Sequence, residues 1–153
     1  MLQLKLDDIV TAEKDLKIIA SNFKIFQLQA IKYSQDEGFV DVEYKKLSSL
    51  TFLQEKVLAI FNSMRDGMRE KDRARLATTE GLARENLQQY GYRGIGELFR
   101  PHLTLTRFSN KNEQQLTNMP KIDSFSGSFD RIGLFEMGES GTCRRKIFEI
   151  KLK

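Results

Sequence analysis

Apolar and polar positions along this chain follow two periods, and the switches between them mark out its elements. Leu2, Leu4 and Leu6 alternate with Gln3 and Lys5, a strand pattern from the first residue that Asp7 and Asp8 break. Leu16, Ile19, Ala20 and Phe23 then fall at helical spacing and predict a helix near residues 12–22, with Thr11 as N-cap and Glu13 in the first turn. In residues 24–33, Phe26, Leu28 and Ala30 share a strand face. Ser34 to Gly38 is turn chemistry. Val40, Val42 and Tyr44 next alternate with Asp41, Glu43 and Lys45, so residues 24–46 predict a hairpin around a short Gly-containing loop. Leu50, Leu53, Val57, Ile60, Phe61 and Met64 form the stripe of a second helix over 47–65, which Gly67 ends.

Residues 65–100 break the pattern. Arg65, Arg69, Lys71, Arg73 and Arg75 mix with Asp66, Glu70 and Asp72, and Thr79 is placed to cap a helix in which Leu82, Ala83, Leu87 and Tyr90 share a face. Gly91, Gly94 and Gly96 make a flexible approach to Pro101. Such charges usually mark a solvated helix face. The segment also fits an insertion or lid that offers Arg93 or Arg100 to a phosphate and Tyr90 and Tyr92 to a base.

Pro101 to Phe108 returns to period two, with His102, Thr104 and Thr106 on one face and Leu103, Leu105 and Arg107 on the other. Pro101 has no N–H to give a ladder and suits the first position of a strand. Asn110 to Asn118 fits one or two polar helical turns, stopped by Met119 and Pro120. Phe125, Gly127 and Phe129, followed by Ile132, Leu134 and Phe135, predict a bulged or broken strand. A turn at Gly138–Gly141 leads into a last strand with Phe148, Ile150 and Leu152 on one face.

This order of elements is α+β, in two halves of similar make-up. At 153 residues the chain is expected to form one two-lobed domain. With 30% charged and 40% hydrophobic residues and no apolar run near membrane length, the expected setting is soluble and cytoplasmic, with no membrane partner. The single cysteine, Cys143, fits a reducing compartment. A net charge of +4, spread along the chain, permits phosphate-bearing partners without requiring them. One His and one Cys cannot build an ordinary zinc site, and no metal or cofactor is expected.

His102 is the only histidine. A lone strand histidine is most often a surface or satisfied core residue. Here, however, Pro101-His-Leu-Thr-Leu-Thr-Arg107 resembles the His-x-Thr motif of the two-histidine phosphoesterases, a superfamily that includes RNA-ligase-like proteins and cyclic nucleotide phosphodiesterases. The resemblance is specific over these seven residues, loose at Arg131–Glu136, and otherwise rests on element order. It implies two pseudo-symmetric lobes of antiparallel sheet with helices outside and a cleft between. It further implies action on cyclic or 2′–5′ phosphodiesters of nucleotides or RNA ends. An attacking oxygen needs a base and a leaving oxygen needs an acid, and two opposed imidazoles can fill both roles. By resemblance His102 is one of that pair, as acid or as base, and Thr104 is a phosphate ligand, with Arg100, Arg93 and Arg107 as candidate anion partners.

The second motif is where this chain departs from the family. In one register Gln3 and Lys5 stand where the other His and Thr would be, and Gln exchanges no proton near neutral pH, so the domain would bind a nucleotide or RNA without catalysis. In the other register the first motif lies upstream of Met1 and the chain begins within or after it; the opening in mid-strand favours this register. Membership of a different family is the third alternative.

Overall fold

The computed structural model describes residues 8–110, 116–138 and 142–153. The expected strand at Leu2–Leu6, with Gln3 and Lys5, lies outside them, as do the centres of the Asn110–Asn118 segment and the Gly138–Gly141 turn. In chain order the elements are α1 (Ile9–Ala20), β1 (Phe26–Leu28), β2 (Ala30–Asp36), β3 (Phe39–Tyr44), α2 (Ser48–Phe61), α3 (Glu70–Arg75), α4 (Gly81–Tyr90), β4 (His102–Arg107), β5 (Gly127–Phe129), β6 (Arg131–Met137) and β7 (Cys143–Lys151). The protein is α+β, and every strand pair is antiparallel.

The chain folds as two compact units, each assembled from separated segments. The first joins residues up to Ile25 with Ser49–Phe99 and Asp130–Lys153. The second joins Phe26–Ser48 with Arg100–Phe129. Helices α1 to α4 and the β6–β7 pair belong to the first; β1 to β5 belong to the second.

In the first unit α1 lays Leu16, Ile19 and Ala20 inward, as their spacing predicts, buries Ala12 as well, and packs on β6 and β7. The helix starts earlier than the sequence suggests: Asp8 is its N-cap, and Thr11 sits inside the first turn. Helix α2 buries Leu58 and Phe61, while Leu50, Leu53, Val57 and Ile60 are only half-buried, so its apolar face is broader than the predicted stripe, and Met64 falls in a 3-10 turn past its end. In α4 the buried pair is Asn86 and Leu87, with Leu82 exposed. Glu80, not Thr79, takes the N-cap, and the Thr79 hydroxyl instead donates to the Arg75 carbonyl at 2.8 Å.

The glycines after α4 are tied down rather than free. Gly91 closes the helix in the left-handed region (φ 68°), a conformation with no Cβ penalty for glycine. Asn86 Nδ2 donates to the Arg93 and Ile95 carbonyls at 3.0 and 3.1 Å. The Gln54 carboxamide bonds the Gly94 carbonyl at 3.2 Å and the Gly96 N–H at 3.0 Å. The charges of 65–75 are not all solvated either: Asp72 is buried, held by Arg69 and Arg75.

The second unit is built on the sheet β2–β3–β4, with the β1–β5 ribbon separate from it. The strand expected over 24–33 is divided. Phe26–Leu28 pairs with Gly127–Phe129, and from Ala30 the chain pairs with β3 instead. The turn is also shorter than expected. Ser34, Gln35 and Asp36 belong to β2, and only Glu37 (φ 48°) and Gly38 (φ 83°) make the bend. Two successive left-handed residues match the twist of a two-residue hairpin. Ala30, Val42 and Tyr44 are buried, and Leu28, Tyr33, Ile122 and Phe125 pack against them. The Tyr44 hydroxyl reaches the Phe125 carbonyl at 3.2 Å.

Candidate functional site

Strand β3 carries apolar residues on one face and Asp41 and Glu43 on the other, yet all of these are buried. The two acids, Asp41 and Glu43, are 3% and 9% exposed, which requires compensating cations and donors. Arg100, just before β4, supplies most of them. Its Nη1 donates to Ser34 Oγ and Glu43 Oε1, and its Nη2 to Asp41 Oδ2, each at 2.8 Å. Lys32 Nζ lies 3.5 Å from Glu43 Oε2. Burial pushes the Glu43 carboxyl up, but the Ser34 and Arg100 hydrogen bonds and the Arg100 and Lys32 charges outweigh it and hold it below the usual range. Burial likewise opposes the Arg100 charge, and Asp41 and Glu43 more than offset it, leaving the guanidinium above its ordinary value.

Strand β4 lies beside β3 in the same sheet. His102 pairs with Glu43, Leu103 with Val42 and Thr104 with Asp41; then the register shifts, and Thr106 pairs with Val40 and Arg107 with Phe39. Leu105 is the extra residue of a bulge. Directly opposed residues share a face. His102 and Thr104 therefore share the carboxylate face, as the alternation predicts. Thr106 and Arg107 do not follow it: the bulge moves Thr106 to the valine face and brings Arg107 onto the His102 face, where its guanidinium carbon sits 4.8 Å from the centre of the Phe39 ring.

Pro101 opens the strand, and its carbonyl accepts from the Tyr44 N–H at 3.0 Å. His102 is exposed, and its Nδ1 lies 2.8 Å from the Arg100 carbonyl. A carbonyl only accepts, so Nδ1 carries the proton, and in the neutral ring Nε2 is the free base. Thr104 Oγ1 donates to Asp41 Oδ1 at 2.7 Å. Arg100 is thus central to the site through its carbonyl as well as its guanidinium, but that guanidinium is committed to protein carboxylates.

Of the other predicted residues, Arg93 lies in the first unit, in the loop pinned by Asn86. Arg145, in β7, is paired with Glu136 at 2.8 Å. Tyr90 and Tyr92 line a mostly apolar pocket of about 380 Å³ in the first unit, with Leu58, Ile95, Phe135 and Met137. Among the described residues no group of three or more His, Cys, Asp or Glu is placed to hold a metal ion, and no helix is long and apolar enough to cross a membrane. Sequence reasoning missed Ser34, Asp41 and Glu43. The available signal was an acid pair two residues apart on a strand with partners on both sides, whose polar face must be met by cations.

Fold and site together define an α+β protein with an oriented imidazole on an open strand, backed by a buried carboxylate–guanidinium cluster. The chain belongs to the family described as "Protein of unknown function (DUF1045)", whose model matches residues 6–131, from before α1 to the start of β6. No curated protein matches it.

Proposed function

We propose that this chain is a two-histidine phosphoesterase-like domain acting on cyclic or 2′–5′ phosphodiesters of nucleotides or RNA ends, with His102 as one member of the acid–base pair. The observation that carries the reading is the Nδ1–H bond of His102 to the Arg100 carbonyl, which orients the ring and leaves Nε2 open on an exposed strand beside Thr104. General acid–base groups need this fixed tautomer and free nitrogen. Arg107, brought to the same face by the bulge and stacked on Phe39, is the better candidate for an anion than Arg100. With a single histidine the chain offers half of the pair, so hydrolysis by this chain is slow but measurable.

That same lone imidazole favours a second reading, a non-catalytic nucleotide- or RNA-binding module using this face. Hydrolysis of a 2′,3′-cyclic nucleotide by the wild-type chain and by His102→Gln separates the two. Hydrolysis lost in the variant supports the enzyme. Binding without hydrolysis, weakened in the variant, supports the module. Neither binding nor hydrolysis sinks both.

A further inference from the structure

Every residue that lines the pocket of about 380 Å³ belongs to the first unit, whereas His102 belongs to the second. A dry cavity of roughly 150 Å³ admits one benzene ring, so this volume suits two fused rings with substituents. Its walls are held before any ligand arrives. Four hydrogen bonds to Asn86 and Gln54 fix the backbone from Arg93 to Gly96, on either side of Ile95. Two of its rings lean on glycines. A Cβ on Gly133 would stand 2.7 Å from Phe135 Cε2, and one on Gly94 would stand 3.0 Å from Tyr92 Cε1. Either methyl group would push the ring off its seat. Walls fixed in this way add little ordering cost to binding.

The lining chemistry suits a flat, uncharged guest. Tyr90, Tyr92 and Phe135 offer π-surfaces, and the sulfurs of Met137 and Cys143 are polarisable partners for ring edges. Among the described lining residues the one carboxylate, Glu136, is bonded to Arg145 at 2.8 Å, and no Lys, Arg or His stands with it. A phosphate or a fatty acid would leave its charge unpaired here. The Tyr90 and Tyr92 hydroxyls have no partner among the described residues, so each can bond a nitrogen or oxygen at a ring edge. We infer that this pocket is a binding site for an uncharged bicyclic aromatic heterocycle, stacked on Tyr92 and Phe135 and hydrogen-bonded to a tyrosine hydroxyl. It stands whether or not the His102 face hydrolyses a phosphodiester.

The full chain carries the means to test it. It has no tryptophan, so the emission of added indole is indole's alone, and its single cysteine, Cys143, lines the pocket. Indole emission is expected to move saturably to the blue as the ring leaves water. Indole at about four times its Kd leaves roughly one pocket in five open, so N-ethylmaleimide should label Cys143 about fivefold more slowly. Adenosine is the second probe: slower labelling with it marks a nucleoside ring as the guest, and slower labelling with indole alone marks another heterocycle. Tyr92→Leu should weaken indole binding about tenfold, and Gly94→Ala, which displaces the same ring without removing it, should weaken it less. Thermal unfolding shows which variants fold, and either one that does serves the test. Three results overturn the inference: no saturable shift, a shift that leaves Cys143 unprotected, or binding unchanged in a folded variant. Octanol protecting Cys143 as well as indole does would also overturn it, because the pocket would then take a chain and not a ring.

Discussion

Replacing Arg100 by Met removes the cation from under two buried carboxylates while keeping the aliphatic stem. Three bonds at 2.8 Å are lost, to Ser34, Glu43 and Asp41. Asp41 keeps only the Thr104 hydroxyl among its side-chain bonds described above, and Glu43 keeps Lys32 at 3.5 Å. Two charge-assisted bonds are worth about 3–6 kcal/mol together before solvent is considered. Arg100 is 42% exposed, so water replaces part of them, and the net loss is expected at about 2–4 kcal/mol near neutral pH. The loss depends on pH. In the wild-type chain the depressed Glu43 carboxyl contributes stability that is full above the unfolded carboxylate value, about 4.3, and is lost as pH falls through the lower folded value. In the variant only Ser34 and Lys32 still oppose burial, the Glu43 carboxyl rises, and the penalty is felt at high pH and relieved as it protonates. Urea unfolding followed by circular dichroism at neutral pH and near pH 4 should show the gap between the two proteins narrowing on acidification. A variant within about 0.5 kcal/mol of wild type at neutral pH, or a gap that does not change with pH, refutes the argument that Arg100 compensates these acids.

His102→Ala removes an exposed ring with one bond to the backbone, so it should shift stability by less than about 1 kcal/mol while abolishing nucleotide hydrolysis or binding; a larger loss in calorimetry with binding intact would make His102 structural. Asn86→Ala strips two carbonyls of their donor in a buried setting and is expected to cost about 2–3 kcal/mol by thermal unfolding, an effect under about 0.5 kcal/mol counting against the pinned-loop account. Glu37→Asn puts a residue that tolerates the left-handed region into the hairpin turn and should raise stability by about 0.5–1 kcal/mol; a lower melting temperature would contradict it. Glu43→Gln should flatten the acid limb of the stability curve relative to wild type, and an unchanged limb would place that dependence on other carboxyls.

Where apolar residues fill one face of an element, the sequence is legible. Leu16, Ile19 and Ala20 in α1 and Val40, Val42 and Tyr44 in β3 face the cores that their spacing predicts. Where pairing is long-range, it is not. Nothing local to Phe26–Ala30 says that Phe26 pairs with Phe129 while Ala30 pairs with Tyr44, so the two strands read as one. Polar residues misled for a related reason. Asp41 and Glu43 look solvated until Arg100, distant in sequence, is placed beside them, and Asp72 until Arg69 and Arg75 are folded around it. The bulge at Leu105 leaves no composition signal, yet it reverses the phase of the strand and so decides that Arg107, not Thr106, shares the face of His102. The histidine and its threonine were visible as a motif; the Arg100 carbonyl and the Asp41 carboxylate that orient their protons were not.

The interleaving of the two units also fixes the order in which this chain can acquire its structure during synthesis. Among the described residues only the β2–β3 and β6–β7 hairpins pair strands that are neighbours in sequence. Gln27 and Ser128, partners across the β1–β5 ribbon, are 101 residues apart, and α1 waits for β6 and β7. A nascent chain can close the β2–β3 hairpin soon after Tyr44 emerges, but its free edge stays unpaired until β4 arrives some sixty residues later, with Asp41 and Glu43 solvated and Val40 and Val42 uncovered meanwhile. Such separations slow folding far more than they weaken the product, and an unpaired edge with exposed valines is the surface that holding chaperones cover and aggregates extend. The two acids then have a second consequence. Before Arg100 reaches them they put negative charge on one face of that waiting hairpin, which keeps early copies from stacking on one another.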